Sequence, residues 1–114
     1  MTTYSRGQVL LVPFPFTDLS RIKRRPALVI SSDEYVRKTG DVIIAQITSR
    51  TSSPPRPGDH RVARWREAGL LAPSLVRARV TTLRSSVILR VLGQMPAPEL
   101  EEIDKKLASA LGLS

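Results

Sequence analysis

Gln8-Val9-Leu10-Leu11-Val12-Pro13-Phe14, followed at once by Pro15, is the stretch on which the fold turns. Val9, Leu10, Leu11 and Val12 are apolar without a break, so the segment predicts a strand covered on both faces rather than one half in water. Proline cannot donate to a strand ladder, and Pro13 and Pro15 close the run. Residues 17–25 follow, holding Asp18, Ser20, Arg21, Lys23, Arg24 and Arg25. That segment is too polar to pack and reads as a loop, with Pro26 biasing Arg25 toward extended backbone.

Further along, residues 27–31 read as a second strand and residues 35–40 as a connector. Residues 42–47, rich in β-branched side chains, form a third strand that ends at Thr48. Its exit is marked by Ser49, Arg50 and Thr51. Residues 52–58 contain three of the nine prolines and a glycine, a composition that cannot run through a sheet and predicts a long surface loop. Beyond it, residues 59–63 suggest a short strand, residues 65–69 a helical turn ended by Gly69, and residues 74–80 and 87–93 two more strands. The last element is the clearest. Pro98 stands at the first helical position, Glu99, Glu101 and Glu102 fill the opening turn, Leu100, Ile103, Leu107 and Leu111 make one stripe, and Gly112 terminates it. Five or six short strands with one terminal helix predict a mainly β chain, a small and strongly bent antiparallel sheet or barrel. In a closed sheet the loops before Ala27 and after Ile47 become neighbours.

The chain has 114 residues, 41% of them apolar, which suits a single domain spanning 1–114 around one modest core. Without cysteine there is no disulfide framework, thiolate nucleophile, zinc knuckle or iron–sulfur site. No apolar run approaches the ~18 residues of a membrane span, and the polar N-terminus is no signal sequence, so the expected product is soluble and cytoplasmic with no membrane partner. Net charge is +8, and residues 1–98 hold 16 of the 18 bases but only 6 of the 10 acids. Such a body attracts polyanions, because neutralising phosphates releases condensed counterions.

The absences narrow the chemistry. One histidine, His60, excludes a two-imidazole acid–base pair, and the carboxylates between residues 18 and 67 lack metal-ligand spacing. There is no Gly-rich phosphate loop, nucleophile elbow or dinucleotide fingerprint. No cofactor and no metal is expected. Guanidinium and hydroxyl groups remain in quantity, in Arg21, Arg24 and Arg25 and again in Thr48, Ser49, Arg50 and Thr51. Arginine presents a rigid fork of donors to phosphate at every relevant pH. RNA carries its own nucleophile, so a protein that aligns a 2′-hydroxyl on the adjacent phosphorus need only orient, stabilise charge and move a proton.

Residues 7–19 (Gly-Gln-Val-Leu-Leu-Val-Pro-Phe-Pro-Phe-Thr-Asp-Leu), then Arg25-Pro26-Ala27-Leu28-Val29-Ile30, then Ile44-Ala45-Gln46-Ile47-Thr48 resemble the PemK/MazF toxin family. Ala68-Gly69-Leu70, Pro73-Ser74 and Leu92-Gly93 fall in the order that family shows, so the resemblance covers nearly the whole chain. It implies a small SH3-like, PemK/CcdB-type antiparallel barrel with a C-terminal α-helix, and a homodimer. It also implies the toxin of a type II toxin–antitoxin system, a sequence-selective, metal-independent endoribonuclease (mRNA interferase) acting on single-stranded RNA, with a cognate antitoxin as partner. The family's chemistry is carried by the Arg of the Arg-Pro motif and the Thr ending the following long strand, which match Arg25 and Thr48 here. Many active members have a Gly-rich segment ahead of the Arg-Pro pair, where this chain has Asp18-Leu19-Ser20-Arg21-Ile22-Lys23-Arg24.

On that resemblance Arg25 clamps the scissile phosphate, whereas the residues alone make it an exposed loop charge. Thr48 donates its hydroxyl to a phosphate oxygen or the attacking 2′-oxygen, or is simply a good strand residue. Arg21, Lys23 and Arg24 steer RNA. Gln46 reads a base edge or is an ordinary polar strand residue, and Ser49 and Arg50 are supporting contacts or solvated loop residues. Phe16 is a candidate for stacking a base, while Phe14 suits core packing. Trp65 is expected to cover one end of the barrel and His60 to be exposed, neither with a catalytic role. Two alternatives stay open: a gyrase-poison-type toxin on the same barrel, and a basic module that holds single-stranded RNA without cutting it.

Overall fold

Strand β1 (Gln8–Phe14) pairs on one side with β2 (Lys23–Val29) and on the other with β6 (Arg90–Gln94), both antiparallel. The computed structural model describes residues 3–14 and 23–113. Between β2 and the next strand lies helix α1 (Asp33–Thr39), followed by β3 (Asp41–Thr48), β4 (His60–Val62), β5 (Ser74–Arg84) and a single 3₁₀ turn at Ser85–Val87; helix α2 (Ala97–Ala110) follows β6. Among the described residues the strands form one six-stranded antiparallel sheet in the order β4-β5-β3-β2-β1-β6. The sheet is curled into a half-barrel with β4 and β6 as its edges, the mainly β architecture with a C-terminal helix that the sequence implies. No helix among the described residues is long and apolar enough to cross a membrane.

The unbroken apolar run of β1 is buried on both faces, as its composition requires. Val9 belongs to one apolar layer with Leu28, Ala45, Ile47 and Val76, and that layer is roofed by Met95 and by Ile103 and Leu107 of α2. Leu10 and Val12 belong to the opposite layer with Ala27, Val29, Val42 and Ile44, roofed by Tyr4, Val36 of α1 and Ile88. Burying each such aliphatic side chain contributes about 1.5–3 kcal/mol, so the two layers fix the curvature of the sheet between them. Trp65 packs at the rim of the first layer, with the Arg66 guanidinium 4.5 Å from its ring centre. Gly69 and Gly93 sit where the turn after β4 meets β6: a Cβ on either would collide with the other segment's backbone, and Gly69 also has φ +84°. Only glycine allows that approach.

Several expectations are corrected. The connector at residues 35–40 belongs to α1, which has a Ser32 N-cap accepting from the Tyr35 amide and a left-handed Gly40 at its end. Only Val36 of that helix is buried, so it carries no apolar stripe to announce it. The charged segment ahead of Ala27 is not all loop, because Lys23, Arg24 and Arg25 are strand residues paired with Phe14, Pro13 and Val12. The strand expected at residues 87–93 begins at Arg90, Val87 being in the 3₁₀ turn. The stripe on α2 ends at Leu107, since Leu111 is 60% exposed.

Candidate active site

The register between β2 and β3 decides the site. Ala27 faces Gln46, Leu28 faces Ala45 and Val29 faces Ile44. Arg25 and Thr48 lie two residues beyond the last pair of this ladder, at the same end of the two strands. Alternation along a strand keeps Thr48 and Gln46 on the face of Ile44 and Val42, the layer whose apolar lining gives way to polar residues at this end.

These side chains line one groove of about 510 Å³, with Arg25 on one wall and Gln46, Thr48 and Arg50 beside it. Ser52 and Ser53, from the loop after β3, and Arg77 and Arg79 of β5 complete it, so the lining holds four arginines and no carboxylate. Thr48 is buried to 7% exposure, and its Oγ1 accepts from the Arg50 amide at 3.2 Å. With the oxygen engaged as acceptor, the hydroxyl hydrogen is free to be donated to a ligand in the groove. Donors converging in a partly buried groove without a counter-carboxylate make a site for an anion, and for charge that develops on one.

Arg77 and Arg79 are the residues that the sequence reading missed. Between Ala45 and Ile47 the register with β5 jumps from Val80 to Val76, so residues 77–79 of β5 bulge opposite Gln46 alone. Bulges re-aim side chains, and this one turns both arginines toward the groove. The alternation Arg77-Ala78-Arg79-Val80 carried the signal, since two arginines two residues apart on a strand share a face. The Arg77 guanidinium lies 3.9 Å from the Asp59 carboxylate, which is 1% exposed and also accepts from the Arg56 amide at 2.8 Å.

The remaining candidates divide. Lys23, Arg24 and Ser49 line a second groove of about 680 Å³ with apolar walls that include Leu70, Leu71 and Val91, and Arg25 borders both grooves. Lys23 and Arg24 are exposed strand residues at the mouth. Arg21 and Phe16 lie outside the described residues, as does the side chain of Phe14.

His60 is buried, not exposed. Its Nε2 is 2.6 Å from Glu99 Oε1 and its Nδ1 3.0 Å from Lys106 Nζ. An ammonium only donates, so Nδ1 accepts and Nε2 carries the proton that goes to Glu99. The other Glu99 oxygen accepts from the Arg64 amide at 2.6 Å. Glu99 therefore does more than complement the α2 dipole: with His60 and Lys106 it fastens the helix to β4. His60 lines neither groove.

The chain is thus a curled antiparallel half-barrel with a C-terminal helix and an arginine-lined groove at one end of β2 and β3. Residues 5–111 match the family described as the PemK-like, MazF-like toxin of type II toxin–antitoxin systems. The chain belongs to that family. It is 34% identical over 93 residues, 80% of this chain and 81% of the relative, to the endoribonuclease MazF2 of Mycobacterium bovis. The same figures hold for the endoribonuclease MazF6 of Mycobacterium tuberculosis. Among solved structures, an endoribonuclease in complex with its cognate antitoxin from a mycobacterial species superposes with a TM-score of 0.77 at 25% identity, covering 97% of each chain. MazF of Deinococcus radiodurans superposes with a TM-score of 0.76 at 28% identity, covering 98% of this chain and 99% of that one.

Proposed function

We propose that the protein is the toxin of a type II toxin–antitoxin pair, an endoribonuclease that cuts single-stranded RNA in the groove that Arg25 and Thr48 line. The observation that carries this reading is the shared groove, whose lining combines the Arg25 guanidinium with the Thr48 hydroxyl and three further arginines and holds no carboxylate. Arg25 holds the scissile phosphate and stabilises the charge that grows on its oxygens. Thr48 donates to a nonbridging oxygen or to the attacking 2′-oxygen. The 2′-hydroxyl loses its proton and bonds to phosphorus, the bond from phosphorus to the 5′-oxygen breaks, and that oxygen takes up a proton. The products are a 2′,3′-cyclic phosphate and a 5′-hydroxyl end, with no metal in the step.

Arg50 holds RNA within the groove and Gln46 reads a base there, while Lys23 and Arg24 steer the strand in across the neighbouring groove, with Ser49 beside them. Arg21 and Phe16 complete the RNA contacts on the strength of the family pattern. A homodimer, cytoplasmic residence and inhibition by an acidic antitoxin segment laid over the basic groove belong to the same reading. A gyrase poison or a passive RNA binder needs no donor pair at this spacing. Labelled RNA incubated with the protein in excess EDTA tests the proposal. Cleavage leaving a cyclic phosphate, lost in Arg25→Ala by about 10²-fold or more, is expected. Retention of intact RNA, or inhibition of supercoiling alone, would overturn it.

A further inference from the structure

Two polar atoms in the groove have no partner in the described structure. Gln46 Oε1 and Arg77 Nε are both buried without a hydrogen bond, although both residues line the same cavity as Arg25 and Thr48. Native structures rarely leave such groups unpaired, so an orphaned pair on the wall of a groove calls for a partner from outside the fold. One of the two atoms is an acceptor and the other a donor. A phosphate at neutral pH offers only acceptors, so it can satisfy Arg77 but leaves Gln46 Oε1 as it was. A nucleobase edge presents a donor and an acceptor side by side and satisfies both.

We propose that Gln46 and Arg77 together form a pocket that reads one base next to the cut, making them specificity-determining residues of the ribonuclease. The proposal rests on the RNA-cleaving reading of this groove and adds to it the residue that the β5 bulge delivers. Gln46 stands two positions before Thr48 on the same face of β3, about 7 Å along the strand, within reach of a base whose phosphate lies between Arg25 and Thr48. The bulge sets residues 77–79 opposite Gln46, and Asp59 lies beside an outer nitrogen of Arg77, whose Nε stays without a partner. Arg79 and Arg50, on the same groove without such orphaned atoms, hold the backbone.

Cut sites mapped along a long transcript test this for the parent, Gln46→Leu and Arg77→Lys. The parent is expected to favour one base at a position beside the cut. Both variants should lose that preference, at that position only, and keep the rest of the pattern. On a short RNA with the favoured base, single-turnover cleavage should fall on the order of 10- to 100-fold in each variant. With a disfavoured base there, parent and variants should differ only a few-fold. If the variants slow every sequence alike and the pattern stands, the pair contacts backbone and the proposal fails. It fails equally if the parent shows no base preference beside the cut. A parent that cuts no RNA at all overturns the ribonuclease reading itself, a separate result. Gln46→Leu removes an unpaired buried amide oxygen from a face it shares with Ile44, so this variant should melt no lower than the parent. A melting point well below the parent's would mean that the amide is satisfied within the fold, and would also overturn the proposal.

Discussion

Thr48→Val isolates the contribution of one hydroxyl. Valine has the same branching and volume, suits a strand, and enters a face already lined by Val42 and Ile44, so the substitution opens no cavity. The structural loss is the acceptor for the Arg50 amide at 3.2 Å, a part-buried contact at the strand end where water can replace it. That loss is worth about 0.5–1.5 kcal/mol. For a domain of this size it lowers the melting temperature by roughly 5 °C. The catalytic loss is of another order. A donor aimed at developing charge is worth about 2.7–4 kcal/mol, so single-turnover cleavage of a labelled RNA should slow by about 10²–10³-fold. Thr48→Ser keeps the hydroxyl and should stay within about tenfold of the parent on the same scale. Differential scanning calorimetry beside the cleavage assay separates the two losses. Parental cleavage by a folded Thr48→Val protein would refute the hydroxyl's role, as would equal loss in Thr48→Ser.

Other positions give independent checks. Arg24→Ala removes an exposed charge at the mouth of the second groove, so it should weaken RNA binding uniformly across sequences and reduce the slope of log affinity against log salt by about 1, measured by filter binding. Glu99→Ala strands the proton on His60 Nε2 and the Arg64 amide together, and urea unfolding should show a loss of about 2–5 kcal/mol, with cleavage per folded molecule unchanged. Gly69→Ala should cost about 1–3 kcal/mol from the left-handed backbone alone and more from the collision with β6, read from the same unfolding curves.

What was legible in the sequence was what a single element carries within itself. The unbroken apolar run of β1, the β-branched run of β3 and the capped stripe of α2 each bury enough local surface to state their own type. α1 has one buried residue and shows itself only through Ser32 and Gly40, signals weaker than a periodic face. Lys23, Arg24 and Arg25 look like loop because they are charged, yet β1 offers their backbone a ladder that composition cannot report. Arg25 and Thr48 are named from the family pattern, and the antiparallel pairing of β2 with β3 brings the strand ends that carry them to one groove. Arg77 escaped notice because its approach to Gln46 depends on a bulge, a property of two strands at once. His60 was misread for the same kind of reason: its partners lie 39 and 46 residues further along the chain.

The polar clasp on α2 governs more than its adhesion. Three oily contacts at Leu100, Ile103 and Leu107 would tolerate a helix that slid by a turn or rolled on its axis, because apolar packing has little sense of direction. The clasp at Glu99 and the Arg6–Asp104 pair on the other flank do not, since each tolerates one angle and one reach. The helix is thereby indexed like a key with two notches. A redesign that recoats its inner face with larger hydrophobes would keep the lid on but surrender its setting.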